Sequence, residues 1–369
     1  MKTIDRLYKD FRPLYPIEDF CTPDKALFID IETTGLQKES TSLYLIGCGF
    51  YTAEGFMTRL FFADCEAEEY DILLEFSHFI KDYSHLFHFN GYKFDIPYLL
   101  YKAEKYSIDC LFDGIGQIDI YKLCKPLRYL LFCDSMKQKS IESFLGIQRR
   151  DRYNGGELID VYRDYTVSRS EDALEALITH NREDVLGMHL IMPILYYLGF
   201  RDASLEFEGY RINVYKDFND VRREEVIFEY RTSLVFPVSF SAKTETMYLK
   251  ASADSRKISI RLPIYEDEMK VFFDNYRDYC YIPDEDTAML RSLALSLPKG
   301  SYKKATRETC YRKVSGKFVK QPCRIFTPAV KTSLKDKRLF FRFPDSFKKE
   351  AAEQFGRELI NIFFTMKRK

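Results

Sequence analysis

The alternation of apolar and polar positions divides the chain into two parts. In the first part, three apolar strands (ALFIDIET, SLYLIGCGF and MTRLFFA) precede an acidic helical stretch over 66–81. A strand, HLFHFN, a helix, IPYLLYKAEKY, a second strand, GQIDIY, and a long helical pattern beginning EDALEALITH follow. Three successive strands predict an antiparallel meander. The whole order predicts an α/β domain over 25–200, a mixed five-stranded sheet with flanking helices, preceded by an N-terminal extension, 1–24.

The second part, 205–369, predicts a separate α+β domain. Strand-like segments (VIFEYR, TMYLKA and KISIRLP) come before a predicted helix over 284–297 and a predicted hairpin around 314–316. An amphipathic helix over 347–366 closes the pattern. A chain of 369 residues exceeds what one hydrophobic core usually organises, so we expect a boundary near 199–208.

Charge is unevenly distributed although the formal net charge is zero. Residues 1–200 hold 22 Lys+Arg against 32 Asp+Glu, whereas 299–369 hold 20 basic residues against 6 acidic ones. Aromatic residues are interleaved with that basic segment, a composition that favours phosphate pairing and base stacking in nucleic-acid binding; among them are Tyr302, Tyr311, Phe318, Phe326, Phe340, Phe341 and Phe343. A solvated face around an ordinary aromatic core remains the alternative.

Composition excludes several other classes of protein. The nine cysteines form no C-x-x-C pair, which favours buried free thiols over a structural zinc site. No apolar run approaches the ~20 residues of a membrane span, and the charged start does not resemble a signal peptide, so we expect a cytoplasmic protein. Neither G-x-x-x-x-G-K-[ST], G-x-G-x-x-G nor G-x-S-x-G occurs, so no phosphate loop, dinucleotide fold or serine nucleophile is indicated.

Asp30 and Glu32 are the first candidates for chemistry. They lie two apart in a predicted strand, so both carboxylates project from the same face. A lone D-x-E pair is a weak signal, but this one ends an apolar strand, where unpaired carboxylates are costly. The pair therefore indicates a cation site, with Thr33 at the following turn as a candidate substrate contact.

The segment HFNGYKFDIPYLL provides the second candidate group. A strand ends at Asn90, and a loop carries Asp95 to the start of a helix whose first turn accepts Pro97. Asp95 is either a site residue or an ordinary helix cap. Asn90 and Tyr92 are either substrate contacts or turn residues.

The segment ITHNREDVLGM provides the third. His180 and Asp184 are four apart in a helical pattern and therefore share one face. A hydrogen-bonded histidine of an amphipathic helix is the alternative interpretation of His180.

Together, the three motifs resemble the DEDD superfamily of 3′→5′ exonucleases, and in detail the YprB-like ribonuclease H-like domains. The resemblance covers about residues 25–200 and implies a ribonuclease H-like fold. One position departs from the family pattern: His180 stands where one branch has tyrosine, four residues before Asp184, and Thr179 stands where the other branch has histidine.

The resemblance also implies a mechanism: metal-dependent 3′→5′ hydrolysis of single-stranded DNA or RNA. Four carboxylates would hold two Mg²⁺ ions, with Mn²⁺ as a substitute, about 3.5–4 Å apart. Asp30 would bridge both ions, Glu32 and Asp184 would complete one site, and Asp95 would help to hold the other. His180 would orient or deprotonate the attacking water.

Two other hypotheses stay open at the level of sequence. The first is a nucleic-acid-binding protein with a vestigial nuclease site, and the second is a partner-binding module that uses the fold without nucleic acid. Salt-sensitive binding to oligonucleotides separates the last hypothesis from the other two.

Overall fold

The computed structural model describes residues 1–109, 111–133 and 135–366. Contacts divide the chain into two compact units. The first comprises residues 1–128 and 133–198, and the second comprises 129–132 and 199–369. Among the described residues, no helix is both long enough and apolar enough to cross a bilayer.

The first unit is built on a mixed sheet covered by helices. Its strands are β1 (Lys2–Lys9), β2 (Ala26–Thr33), β3 (Leu43–Thr52), β4 (Gly55–Phe62), β5 (His85–His88) and β6 (Gly116–Asp119). Its helices are α1 (Glu69–Phe79), α2 (Asp95–Lys105), α3 (Ile120–Cys124), α4 (Gln138–Phe144), α5 (Gly155–Ser168) and α6 (Glu171–Ile191).

The strand order is β1-β4-β3-β2-β5-β6. The predicted meander is confirmed, because β2, β3 and β4 pair antiparallel in succession. β5 and β6 add parallel to β2, so β2 and β5 end at the same edge of the sheet. The site motifs at the ends of these two strands are thereby brought to one edge.

The predicted count of five strands is wrong, because the N-terminal extension supplies a sixth. β1 pairs with β4 along its whole length, Lys2 opposite Phe62 and Lys9 opposite Gly55. Most of its side chains are at least partly exposed, and it carries charges at Lys2, Asp5, Arg6 and Lys9. Edge strands often carry such charges, which mask the apolar alternation that would have revealed this strand.

The second unit contains an eight-stranded antiparallel sheet and a three-stranded one. The larger sheet comprises β7 (Leu205–Lys216), β8 (Arg222–Thr232), β9 (Phe240–Lys243), β10 (Tyr248–Ala251), β11 (Lys257–Phe272), β15 (Tyr311–Gln321), β16 (Ala329–Val330) and β17 (Leu339–Arg342). The smaller comprises β12 (Tyr279–Ile282), β13 (Thr287–Leu290) and β14 (Lys303–Lys304). Its helices are α7 (Arg291–Ala294) and α8 (Lys349–Thr365).

Two local predictions for this unit are wrong and one is confirmed. The predicted hairpin at 314–316 is a continuous part of β15, because nine consecutive residues there pair with β11. The predicted helix over 284–297 contains β13, which pairs with β12, and only the four residues of α7 are helical. The closing amphipathic helix is confirmed as α8, which buries Phe355, Leu359 and Phe363.

Candidate active site of the first unit

Asp30 and Glu32 lie near the carboxyl end of β2, as predicted, and both are reached by residues of α6. Asn181 donates a hydrogen bond from Nδ2 to Oδ2 of Asp30 over 2.9 Å. Glu32 is only 8% exposed. The register of the pairing with β3 shifts between Glu32 and Thr33, next to the site.

α6 brings His180 and Asp184 to the same place. Nε2 of His180 lies 3.7 Å from Oε1 of Glu32 and 3.3 Å from Oδ2 of Asp184. Each of these three residues offers one ligand atom, and the three atoms lie within 4.8 Å of one another. The Glu32 and Asp184 carboxylates at this spacing suit a divalent cation, with the His180 imidazole beside it, so the residues present fit the metal that the motifs imply.

Asp95 is the first residue of α2, and its carboxylate lies near β2. Burial raises the pKa of Asp95 to about 6, although the backbone N–H groups of Asp95 and Ile31 lower it. The negative charges of Asp119 and Asp184 raise it further. The backbone of Ile31, which lies between Asp30 and Glu32, interacts with the Asp95 carboxylate, so Asp95 lies beside β2; its role at the site stays a prediction.

The electrostatics of the group favour a bound cation. Burial raises the pKa of both Asp30 and Glu32 well above the usual range, and the charge of Asp184 is the next cause for each. Asp95 raises both values as well. Like charges gathered in a desolvated place disfavour ionisation unless a positive partner is supplied.

The loop between α4 and α5 contributes two residues that sequence reasoning missed, and α6 anchors this loop. The carboxylate of Glu183 accepts hydrogen bonds from the backbone N–H groups of Arg150, at 3.0 Å, and of Asp151, at 2.9 Å. Because Glu183 adjoins Asp184 in α6, this anchor holds Arg149 and Asp151 against the site.

Arg149 supplies the positive charge found at the site. Its Nη2 donates to Oδ1 of Asp184 at 2.5 Å, and its Nη1 lies 3.2 Å from both carboxylate oxygens of Glu142. Gln138 joins the same network, donating to Oε1 of Glu142 at 2.9 Å and to the Asp184 carbonyl at 2.8 Å. No local signal in the sequence links Arg149 to a residue 35 positions away.

Asp151 faces the opposite ring nitrogen of His180. Its Oδ2 lies 2.9 Å from Nδ1 of His180 and 3.1 Å from Nζ of Lys139. Burial works to raise its pKa, but the Tyr153 backbone N–H, the His180 ring and Lys139 together lower it below the usual value. Asp151 is therefore a carboxylate held in its charged form behind the imidazole.

The three candidate substrate contacts differ in their surroundings. Thr33 donates its hydroxyl to the Gly35 carbonyl at 2.8 Å, a contact within the turn. Asn90 adopts a left-handed conformation (φ 62°), and its backbone N–H donates to Oδ1 of Asp119 at 2.9 Å. Tyr92 is 40% exposed, and Nζ of Lys122 lies 3.6 Å from the centre of its ring. Their contact with substrate stays a prediction.

Comparison with protein families finds a match within the first unit. Residues 27–196 match the sequence model of the family described as the RNase_H superfamily. This region has the ribonuclease H-like fold. The predicted ribonuclease H-like fold is thereby confirmed for residues 27–196, and β1 lies outside the matched residues. No curated protein matches the chain.

Solved structures similar to the chain include polymerases and exonucleases at low identity. The family B DNA polymerase of Pyrobaculum calidifontis is 12% identical, with a TM-score of 0.36 over 69% of this chain and 35% of that one. E. coli Exonuclease I in complex with a dT13 oligonucleotide is 10% identical, with a TM-score of 0.28 over 93% and 75%. Exonuclease I of Methylocaldum szegediense is 11% identical, with a TM-score of 0.26 over 79% and 64%. The chain therefore spans about a third of the polymerase, and TM-scores this low do not establish a shared activity.

Proposed function

We propose that this protein is a metal-dependent nuclease that removes nucleotides from the 3′ end of single-stranded nucleic acid. The observation that carries the proposal is the meeting of Glu32, His180 and Asp184, whose ligand atoms lie within 4.8 Å of one another, beside the raised-pKa carboxylates Asp30 and Asp95. The order of the motifs on a ribonuclease H-like domain supports the same activity. The 3′→5′ direction of digestion and the preference for single-stranded substrate rest on the motif resemblance.

Each residue of the site has a separate task in this proposal. The four carboxylates, Asp30, Glu32, Asp95 and Asp184, would hold the divalent cations, Mg²⁺ or Mn²⁺. When bound, the cations would supply the positive charge that activates water and stabilises the leaving oxygen. His180, through Nε2, would orient the water or accept its proton, and Asn181 would hold Asp30 in place.

Substrate binding would use positively charged and aromatic side chains near the site. Lys122 lies over the ring of Tyr92. Lys122 could therefore contact a phosphate of the strand while Tyr92 contacts a base of the same strand. The basic second unit would supply further phosphate contacts, since the carboxylates of the site repel a polyanion.

One observation favours the alternative, a nucleic-acid-binding protein whose nuclease site is vestigial. Arg149 already contributes a positive charge to Asp184, so that carboxylate has a partner without any metal. An arginine in this place could replace a cation that the site has lost. Measured turnover decides between the two functions.

The test is release of nucleotides from end-labelled single-stranded DNA and RNA, with Mg²⁺, with Mn²⁺ and with EDTA. Asp30→Asn should abolish turnover, whereas Asp160→Asn, at an ion-paired but 80% exposed side chain, should retain it. The proposal is supported if the wild type and Asp160→Asn both produce metal-dependent laddering from the 3′ end and Asp30→Asn produces none. Salt-sensitive binding without cleavage by the wild type would instead establish the vestigial site.

A further inference from the structure

A cavity of about 290 Å³ lies in the second unit, beside the end of β11. Its walls come from three separate stretches of chain, which contribute Phe273, Asp274 and Tyr276, then Arg307, then Arg324 and Lys331. The volume is close to the lower end of small-molecule pockets, ~300 Å³, and thus suits a ligand of about one nucleotide.

The three basic residues of this cavity have no acidic partner among the described residues. Other cations of the same segment do have one: Nζ of Lys313 lies 2.7 Å from Asp286, and Nη2 of Arg338 lies 3.0 Å from Asp336. The cavity has one carboxylate in its lining, Asp274, against three cations. Unneutralised guanidinium groups around a concave surface are the arrangement that binds phosphate.

Aromatic rings stand next to these cations. Cζ of Arg307 lies 5.9 Å from the ring centre of Tyr276. Phe273 stacks on Tyr279 with ring centres 4.6 Å apart and an angle of 6° between the planes, so that it is held by a neighbour of the same unit. A partly exposed ring beside unpaired arginines offers a base a surface for stacking while its phosphate is bound.

We propose that this cavity binds one nucleotide of a single-stranded nucleic acid, its phosphate on Arg307, Arg324 and Lys331 and its base on Tyr276. A paired and stacked base of a duplex cannot enter a cavity of this size, so the site selects single strands. This proposal adds a binding site to the proposed function. It rests on that function only in the claim that the bound strand is then hydrolysed, because binding itself requires no cleavage.

The experiment compares two full-length triple variants that lose the same charge. The first is Arg307→Gln, Arg324→Gln and Lys331→Gln. The second, a matched control, is Lys250→Gln, Lys257→Gln and Arg291→Gln, at exposed positions of the same unit that make no ion pair in the described part of the chain. Binding of labelled oligo(dT) and oligo(U) is measured in EDTA, which prevents turnover, across a series of salt concentrations.

The cavity variant should bind more than about tenfold more weakly at low salt, and the slope of log K against log salt should fall by about 2, or ~0.7 for each lost phosphate contact. The control should keep both values. Equal losses in the two variants would overturn the proposal, because they would show that only total charge matters.

Two further arms identify the ligand and separate this proposal from the nuclease. Competition by dTMP, but not by inorganic phosphate at the same concentration, supports a nucleotide site; equal competition by both shows a phosphate site without base recognition and overturns it. Tyr276→Leu should weaken oligonucleotide binding with an unchanged salt slope. If the wild type does not cleave but the cavity variant still binds more weakly than the wild type, this proposal stands and the nuclease proposal fails.

Discussion

Oδ2 of Asp151 lies 2.9 Å from Nδ1 of His180, and the Asp151 side chain is only 1% exposed. The opposite ring nitrogen, Nε2, faces Glu32 and Asp184. A carboxylate behind an imidazole sets both the orientation of the ring and the nitrogen that carries its proton. We therefore expect Asp151 to act as a positioning residue for His180 through its charge.

Asp151→Asn should reduce kcat about 10- to 100-fold with little change in KM, because the ring loses its orientation while the substrate contacts remain. Asp151→Glu should recover part of the loss. Steady-state kinetics on a single-stranded oligonucleotide, with circular dichroism as a check on folding, measures both. A rise in KM with unchanged kcat would assign Asp151 to substrate binding instead.

Arg149→Gln should make the protein more dependent on divalent cations. Without the guanidinium, Asp184 and Glu142 lose the positive charge that they share, so we expect the metal-free protein to lose about 1–3 kcal/mol of stability. Mn²⁺ should then raise Tm more in the variant than in the wild type, since it replaces the missing charge. Equal Tm increases in the two proteins would show that Arg149 and the cation do not share Asp184.

The pH dependence of stability should reveal Asp95 in the metal-free protein. Its pKa is raised to about 6, so the folded state keeps a proton that the unfolded state releases near pH 4. Its stabilising contribution is complete below about pH 4 and is lost as pH rises through about 6. Asp95→Asn should therefore gain about 1–3 kcal/mol relative to the wild type between pH 4 and 7.

Urea denaturation in EDTA at both pH values measures this difference. Addition of Mn²⁺ at pH 7 should reverse it, because the cation binds the ionised carboxylates of the wild type. A stability difference that does not change with pH would show that Asp95 is not protonated in the folded protein.

Gly47→Ala should disturb the site from the neighbouring strand. A Cβ at this position would lie 1.9 Å from Oδ1 of Asn181 and 2.8 Å from Cγ2 of Val185, so Asn181 would have to leave Asp30. We expect a loss of about 1–3 kcal/mol, as for other overpacked positions, together with reduced turnover. Gly155→Ala is the control, because a Cβ there meets nothing within 4 Å and should leave both stability and turnover intact. An unchanged Tm in the Gly47 variant would contradict this account.

The amino-acid sequence determined those parts of the site that depend on local periodicity. The alternation of β2 places Asp30 and Glu32 on one face, and the spacing of four along α6 does the same for His180 and Asp184. The order of the elements predicted a mixed sheet, but the structure alone showed that β2 and β5 pair parallel and so bring the loop of Asp95 to the same edge. Periodicity repeats within each element, so a single sequence was sufficient to predict these two pairs of residues.

Only the tertiary structure decided which distant groups complete the site. Arg149 and Asp151 lie in a loop without periodicity, and their positions depend on the Glu183 carboxylate bonded to the backbone of that loop. The same reason applies to β1 and to β15: a polar edge strand and a strand containing Gly316 are stabilised by pairing with partners far along the chain. Such contacts leave no repeating pattern in the sequence, because their free energy comes from hydrogen bonds and ion pairs that exist only after the chain has folded.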